Sequence, residues 1–259
     1  MGMPYKAFDL AGRVAIVTGA GRGLGRGMAL ALAHAGATVV AAGRSMPGIE
    51  ATSRQIRDGG GTSDPFLFDA VKREDCHALV AKTAARHGQL DIIVINHGVA
   101  RHAPAVDVAD SQWQETIAVN LTSAFLCAQA AGRHMITRKR GGSIIFISST
   151  ASMVGFNNLV SYGSSKGGVD QLCRQLAVEW GPHNIRVNAV NPGYTLSDMA
   201  GTEARHADSG LNEEVNRMTP LGRRATIEEI AGPVVFLASE AASFVSGVCL
   251  AVDGGYCAR

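Results

Sequence analysis

The sequence predicts an α/β fold: a single doubly wound, Rossmann-type parallel sheet of about seven strands with helices on both faces. Three observations carry this. Short β-branched runs alternate with longer segments of helical period. Most of the short runs are continuously apolar, as strands covered on both faces must be. A glycine-rich turn follows the first run and opens a helix. Right-handed crossovers then place the helices on both faces. A chain of 259 residues holds this pattern in one domain, 1–259.

Residues 14–18 (Val-Ala-Ile-Val-Thr) form the first strand, and the turn after Thr18 leads into a helix over 23–35. Strands at 38–42, 65–68 and 91–96 follow, separated by helical segments at 49–58 and 72–86. One long helix is expected over 111–137, then a strand at 143–148 built on Ile-Ile-Phe-Ile. The helix at 161–180 carries Val169, Leu172, Cys173, Leu176, Ala177 and Trp180 at helical spacing. A strand at 185–190, a helix at 227–238 and a strand at 247–252 complete the series. The stretch 194–219 is polar, rich in Gly, Ser, Asp and Arg, and without clear period; it reads as a substrate lid. In such sheets ligands bind beyond the carboxyl ends of the strands, where strand order reverses.

Composition narrows the partners. The chain has 24 basic and 22 acidic residues, a net charge of +2, too balanced for a nucleic-acid binder. The five cysteines are scattered with no C-x-x-C pair, which argues for reduced thiols of a cytoplasmic protein, with no disulfide framework and no metal site. The first residues lack the apolar segment of a signal peptide, and the charge-free stretch 141–165 is broken by serines and asparagines, so no membrane partner is expected.

The turn Thr18-Gly19-Ala20-Gly21-Arg22-Gly23-Leu24-Gly25 fits T-G-x-x-x-G-x-G through Gly19, Gly23 and Gly25, and not the literal G-x-G-x-x-G. Its glycines and the free N–H groups of the helix start suit a pyrophosphate; an ordinary tight turn is the alternative. Cofactor choice should show at the end of the second strand, where a carboxylate would bind a ribose 2′-hydroxyl. That place holds Gly43-Arg44, with no acid before Glu50. A guanidinium suits a 2′-phosphate, and Arg22 offers a second cation. NADP(H) is therefore favoured, with NAD(H) as the alternative cofactor and two solvated surface arginines as the bland reading.

Three polar groups fall on apolar stripes or at strand ends. Tyr162 and Lys166 are i and i+4 neighbours on the inward face of their helix. A nearby ammonium would lower a phenol from its usual pKa of about 10 toward a useful range, worth at most about three units. A surface tyrosine beside a snorkelling lysine is the alternative. Ser148 and Ser149 end a buried strand, where a hydroxyl could donate to a substrate oxygen. Asn120 shares its helix face with Trp113, Ile117, Leu121 and Ala124, in a proton relay or a purely structural network.

Together these residues resemble the short-chain dehydrogenase/reductase family in its compact form, from Leu10-Ala11-Gly12-Arg13 to Val252-Asp253-Gly254-Gly255. The resemblance rests on 18–25, Asp69, Asn120, Ser149, Tyr162-x-x-x-Lys166 and Asn191-Pro192-Gly193. Ser149 takes the catalytic place, 13 residues before the tyrosine. The resemblance implies hydride transfer between a nicotinamide and a carbinol or carbonyl carbon. Tyr162 would move the proton, Ser149 would hold the substrate oxygen, and Lys166 would bind the nicotinamide ribose and lower the tyrosine pKa. Asn120 would place a water linking Lys166 to solvent. Gly19, Arg22, Gly23, Leu24, Gly25, Arg44, Asp69, Asn96, Gly98, Pro192, Gly193, Thr195 and Ser197 would join Tyr162 and Lys166 around the dinucleotide. A homotetramer is implied too.

The chain departs from the family where Asn-Asn-Ala-Gly becomes Ile95-Asn96-His97-Gly98. His97 is then either an added group titrating near pH 6–7 or a hydrogen-bonded core histidine. After Pro192-Gly193, the usual threonine is replaced by Ser197, with Thr195 as a rival. Substrate would meet Ser149, Asn157, Tyr162 and Tyr194, with Asn158, Arg101, His102 and the lid groups Glu203, Arg205 and His206 near. Such amides, hydroxyls and cations suit a sugar, polyol or sugar acid. The wording also looks like gluconate- and polyol-type dehydrogenases. A 3-oxoacyl-carrier-protein reductase is the rival within the family, disfavoured by the neutral His183; a non-catalytic dinucleotide sensor is the rival outside it.

Overall fold

A computed structural model describes residues 6–196 and 209–259. Seven strands form one parallel sheet: β1 (Val14–Thr18), β2 (Thr38–Gly43), β3 (Ser63–Leu67), β4 (Ile92–Ile95), β5 (Gly142–Ile147), β6 (Ile185–Pro192) and β7 (Cys249–Val252). Their order is β3-β2-β1-β4-β5-β6-β7, so the chain reverses direction across the sheet between β1 and β4. Helices α1 (Gly23–His34), α2 (Met46–Asp58) and α8 (Ile227–Ala238) cover one face. On the other lie α3 (Arg73–His87), α5 (Ser123–Arg138) and α6 (Val160–Trp180). The period of two sorts the strand residues between the cores: Ile144 and Phe146 enter one, Ile145 and Ile147 the other.

Small residues let the helices close on the sheet and each other. Gly132 of α5 lies under the Trp180 indole of α6, where an added Cβ would sit 2.7 Å from the ring. At the amino end of the strands the buried Asp91 carboxylate accepts the Val14 N–H at 2.8 Å and an Arg138 N–H at 3.0 Å, joining β1 and α5 to the start of β4. An ion pair held by a backbone donor as well satisfies more of the desolvated charge.

Of the differences from the sequence reading, four have a local physical reason. β3 begins at Ser63, ahead of Pro65; an edge strand tolerates a residue without N–H. α2 begins at Met46 with Pro47 in its first turn, where an N–H would be unpaired anyway. The single helix expected over 111–137 is α4 (Asp110–Ile117), a π turn at Ala118–Thr122 and α5. Within the stretch read as aperiodic lies a helix, α7 (Ser209–Met218). Among the described residues no helix is long and apolar enough to cross a membrane, and no His, Cys, Asp and Glu group could hold a metal ion.

Candidate active site

The reversal between β1 and β4 opens a cleft at their carboxyl ends. After β1, Gly19 takes φ +68°, a conformation side chains resist. A Cβ on Gly25 would collide with the Gly19 carbonyl, so the turn closes only around glycine. Arg22 caps α1 without a side-chain bond, which leaves the first-turn N–H groups of Gly23, Leu24 and Gly25 unoccupied by a cap. This is an anion cradle by its donor set. Arg22 and Arg44 are both exposed, Arg44 directly after β2. Asp69 is half-buried just past β3.

Residues 96–99 strap this turn to the opposite wall. Asn96 donates from Nδ2 to the Thr18 and Gly19 carbonyls at 3.1 and 3.4 Å, and its N–H meets Thr18 Oγ1 at 3.0 Å. Gly98 is exposed; a Cβ there would lie 3.2 Å from Asn120 Oδ1 and 3.7 Å from Lys166 Nζ. Val99 exchanges two bonds with Asn120, its N–H to Oδ1 at 2.8 Å and its carbonyl from Nδ2 at 2.9 Å. Asn120 Nδ2 also donates to Ser165 Oγ at 3.0 Å, so this buried amide is well satisfied. The π turn supplies its orientation: one extra residue per turn re-aims a side chain.

The other residues gather at the end of β5. Lys166 is 5% exposed, and its Nζ donates to the Ile147 carbonyl at 2.7 Å and lies 5.7 Å from the Tyr162 ring centroid. Ser149 follows β5, with its hydroxyl accepting the Ala151 N–H at 3.1 Å and close enough to the Tyr162 phenol to favour the phenolate. Ser148, its neighbour, is buried and donates to the Lys166 carbonyl at 3.3 Å. Asp170, one turn beyond Lys166, accepts from Ser152 Oγ at 2.6 Å and Asn191 Nδ2 at 2.8 Å. Asn191 Nδ2 also reaches the Ser149 carbonyl at 3.3 Å, so β6 and α6 jointly brace the serine. Asp170 was missed from sequence, although it continues the polar stripe Tyr162–Lys166 at the next i+4 step, and Asn191 was named there only as part of the motif Asn191-Pro192-Gly193, without this bracing role.

Two electrostatic expectations are corrected. Burial pushes the Tyr162 phenol above its usual 10, with the Ser149 hydroxyl opposing and the lysine not offsetting it. The ammonium is directed to the Ile147 carbonyl, and burial draws Lys166 itself down to about 8 while the Asp170 charge resists. His97 does not titrate near neutrality: burial, then the charges of Lys166 and Arg44, push it down to about 3. Its ring nitrogens meet Thr18 Oγ1 at 2.8 Å and Ser123 Oγ at 2.6 Å.

The remaining predicted residues lie further out. Pro192 ends β6 against Val252, and the Gly193 N–H donates to the Val252 carbonyl at 3.0 Å. Thr195 bridges to Ala225. Ser197 and the lid groups Glu203, Arg205 and His206 fall outside the described residues. Asn157 and Asn158 are exposed in the loop after Ser149, and Arg101 pairs with Glu115 at 3.2 Å on the surface. Tyr194 joins an aromatic cluster absent from the sequence reading: Phe156 stacks on Tyr256 at 5.7 Å, Tyr194 stands edge-on to both, and the Arg224 guanidinium lies 5.4 Å from the Tyr194 centroid.

Residues 19–257 match the family described as Enoyl-(Acyl carrier protein) reductase. The chain is 38% identical over 257 residues to a 2-dehydro-3-deoxy-D-gluconate 5-dehydrogenase of Escherichia coli, covering 99% of this chain and 100% of that one. The chain belongs to the short-chain dehydrogenase/reductase family. Another member of this dehydrogenase/reductase family, a cis-4-hydroxycyclohexanecarboxylate dehydrogenase of Sinomonas cyclohexanicum, is 40% identical over 250 residues, 96% of this chain and 98% of that one. A gluconate 5-dehydrogenase from Burkholderia cenocepacia J2315, solved in complex with NADP and tartrate, superimposes with a TM-score of 0.93 at 35% identity, covering 98% of each chain. The anion cradle, Gly98 without a side chain beside Asn120 and Lys166, and the exposed arginines fit a phosphorylated dinucleotide.

Proposed function

We propose that this chain is an NADP(H)-dependent oxidoreductase interconverting a secondary alcohol and a ketone on a sugar, polyol or sugar-acid substrate. The observation that carries it is the meeting of Ser149, Tyr162 and Lys166 at the carboxyl end of β5, with Asn120 across Gly98. The bound dinucleotide supplies or accepts the hydride. Its pyrophosphate would sit on Gly19, Gly23, Leu24 and Gly25, its 2′-phosphate on Arg22 and Arg44, and its adenine by Asp69. Asn96 spends Nδ2 on two carbonyls, which leaves Oδ1 for the adenosine ribose. Gly98, Pro192, Gly193, Thr195 and Ser197 would frame the nicotinamide.

In the reducing direction Tyr162, protonated at neutral pH, donates its phenolic proton to the substrate oxygen, and Ser149 donates a second hydrogen bond to the same atom. In the oxidising direction the proton moves back, and the Lys166 ammonium stabilises the phenolate once the site is filled. Asn120 would hold the water that passes protons between Lys166 and solvent. Asn157 and Tyr194 would contact the rest of the substrate under 194–219 as a lid, within one domain of 1–259. Hydroxyl-rich substrates with a carboxylate suit a mouth offering amides, a phenol and the Arg224 cation. We place the enzyme in the cytoplasm, consistent with its five free cysteines, as a homotetramer, consistent with exposed apolar side chains such as Trp113, Phe125 and Val178.

The test is nicotinamide absorbance with each dinucleotide against polyols, sugar acids and β-keto esters. Turnover of a polyol or sugar acid with NADP(H) is expected; turnover of β-keto esters alone would favour the carrier-protein reductase. Tyr162→Phe should abolish turnover while dinucleotide affinity, measured by fluorescence titration, stays nearly unchanged. Full rate in that variant would remove the proton-transfer assignment.

A further inference from the structure

His97 is a titratable group inside the site that the mechanism does not use. The hydroxyls around it fix its tautomer. Ser123 donates its single proton to the Val119 carbonyl at 2.5 Å, so its oxygen must accept from His97 Nε2–H. Nδ1 is then the acceptor, and the Thr18 proton goes to it at 2.8 Å in preference to the Val94 carbonyl at 3.3 Å. One directed chain results: Thr18 O–H to Nδ1, Nε2–H to Ser123 Oγ, Ser123 O–H to the Val119 carbonyl. It begins on the residue before Gly19 and ends on the residue before Asn120, inside the π turn. The ring also meets the Phe68 edge at 5.8 Å, one residue before Asp69.

We propose that His97 is a positioning residue: a neutral imidazole of fixed tautomer that clamps the phosphate-binding turn to the π turn and so sets where the Asn120 amide sits. The clamp adds a side-chain path to the one that already runs through the Asn96 amide, the backbone of 96–99 and the Asn120 amide. A directed chain of part-buried hydrogen bonds between fixed groups stiffens as a unit, and a catalytic group displaced by about 1 Å loses rate steeply. The proposal rests on Asn120 belonging to the catalytic set.

Four variants test it in the full chain: His97→Ala, Ser123→Ala, their double, and His97→Ala on an Asn120→Ala background. Each of the first two should lower kcat about tenfold with the dinucleotide KM within about threefold, and the double should cost no more than one. On the Asn120→Ala background His97→Ala should add nothing. His97→Gln, whose terminal amide can still donate to Ser123, should recover rate, and His97→Asn, which reaches only Thr18, should not. Imidazole nitrogen NMR should report Nε2–H and no titration between about pH 5 and 8, with Lys166 and Arg44 the charged groups facing the ring.

Lower melting temperatures with unchanged kcat, or additive costs on the Asn120→Ala background, would overturn the proposal. If His97→Ala fails to fold, Ser123→Ala breaks the same chain with the imidazole in place and decides alone. Loss of rate in Asn120→Ala with full rate in His97→Ala and Ser123→Ala would reject the clamp only. Full rate in Asn120→Ala would reject the catalytic set and the clamp with it.

Discussion

At the scale of single residues, Lys166 shows how burial and one partner balance. Burial takes its pKa down to about 8, against an ordinary 10.5, and Asp170 one turn along holds it up. The unfolded lysine keeps its proton where the folded one has lost it, so this group makes stability rise with pH between about 8 and 10.5. The ammonium is fully present only below about 8. The groups facing it are Tyr162, the neutral His97 and Asp170. Asp170→Asn should therefore shift the alkaline loss of dinucleotide affinity to lower pH, read by fluorescence titration across pH; an unmoved midpoint would take Asp170 out of the account. Arg44, exposed directly after β2, would act on a 2′-phosphate through its charge. Arg44→Asp should reverse the ratio of kcat/KM for NADPH and NADH, and a constant ratio would assign the 2′-phosphate elsewhere. Tyr162, Lys166 and Ser149 were legible because their spacing puts them on one face or at one strand end. The tautomer of His97 and the bracing of Ser149 by Asn191 were not, since both depend on residues far apart in sequence.

At the scale of elements, periodicity located the five inner strands β1, β2, β4, β5 and β6 because strands buried on both faces write themselves as apolar runs, and the half-buried edge strands β3 and β7 by their place in the alternation. It failed where the period is broken for a reason. The stretch from Ser111 to Thr137 looks like one helix because a π turn adds one residue without interrupting the apolar face. That added residue is what turns Asn120 toward Val99 and Ser165. α7 was hidden among the polar residues of the lid stretch, where few apolar positions mark a period. The amino ends of the elements are tied by a buried charge, and Asp91→Ala would remove the acceptor of the Val14 N–H and the counter-charge of Arg138, whose Nη2 would keep the Gly141 carbonyl at 3.2 Å. A loss of about 3–5 kcal/mol in chemical denaturation is expected, with no change in KM, because the site lies at the opposite ends of the strands. A loss under about 1 kcal/mol would show that water replaces the carboxylate.

At the scale of the whole molecule, the proposed homotetramer would cover exposed apolar side chains of α4, α5 and α6. Trp113 is 40% exposed, Phe125 36% and Val178 80%. Light scattering should give a four-subunit mass, and Val178→Asp should reduce it with melting temperature becoming dependent on concentration. A wild-type monomer at all concentrations would exclude the assembly. The linear order of residues was enough to determine the layered sheet, the glycine turn and the grouping of Ser149, Tyr162 and Lys166. Each of those follows from local rules: apolar period, turn sterics and helical spacing. Only the three-dimensional arrangement decided the protonation of Tyr162, Lys166 and His97 and the aim of Asn120. Desolvation and hydrogen-bond direction depend on which distant groups enclose a side chain, and a one-dimensional pattern does not carry that.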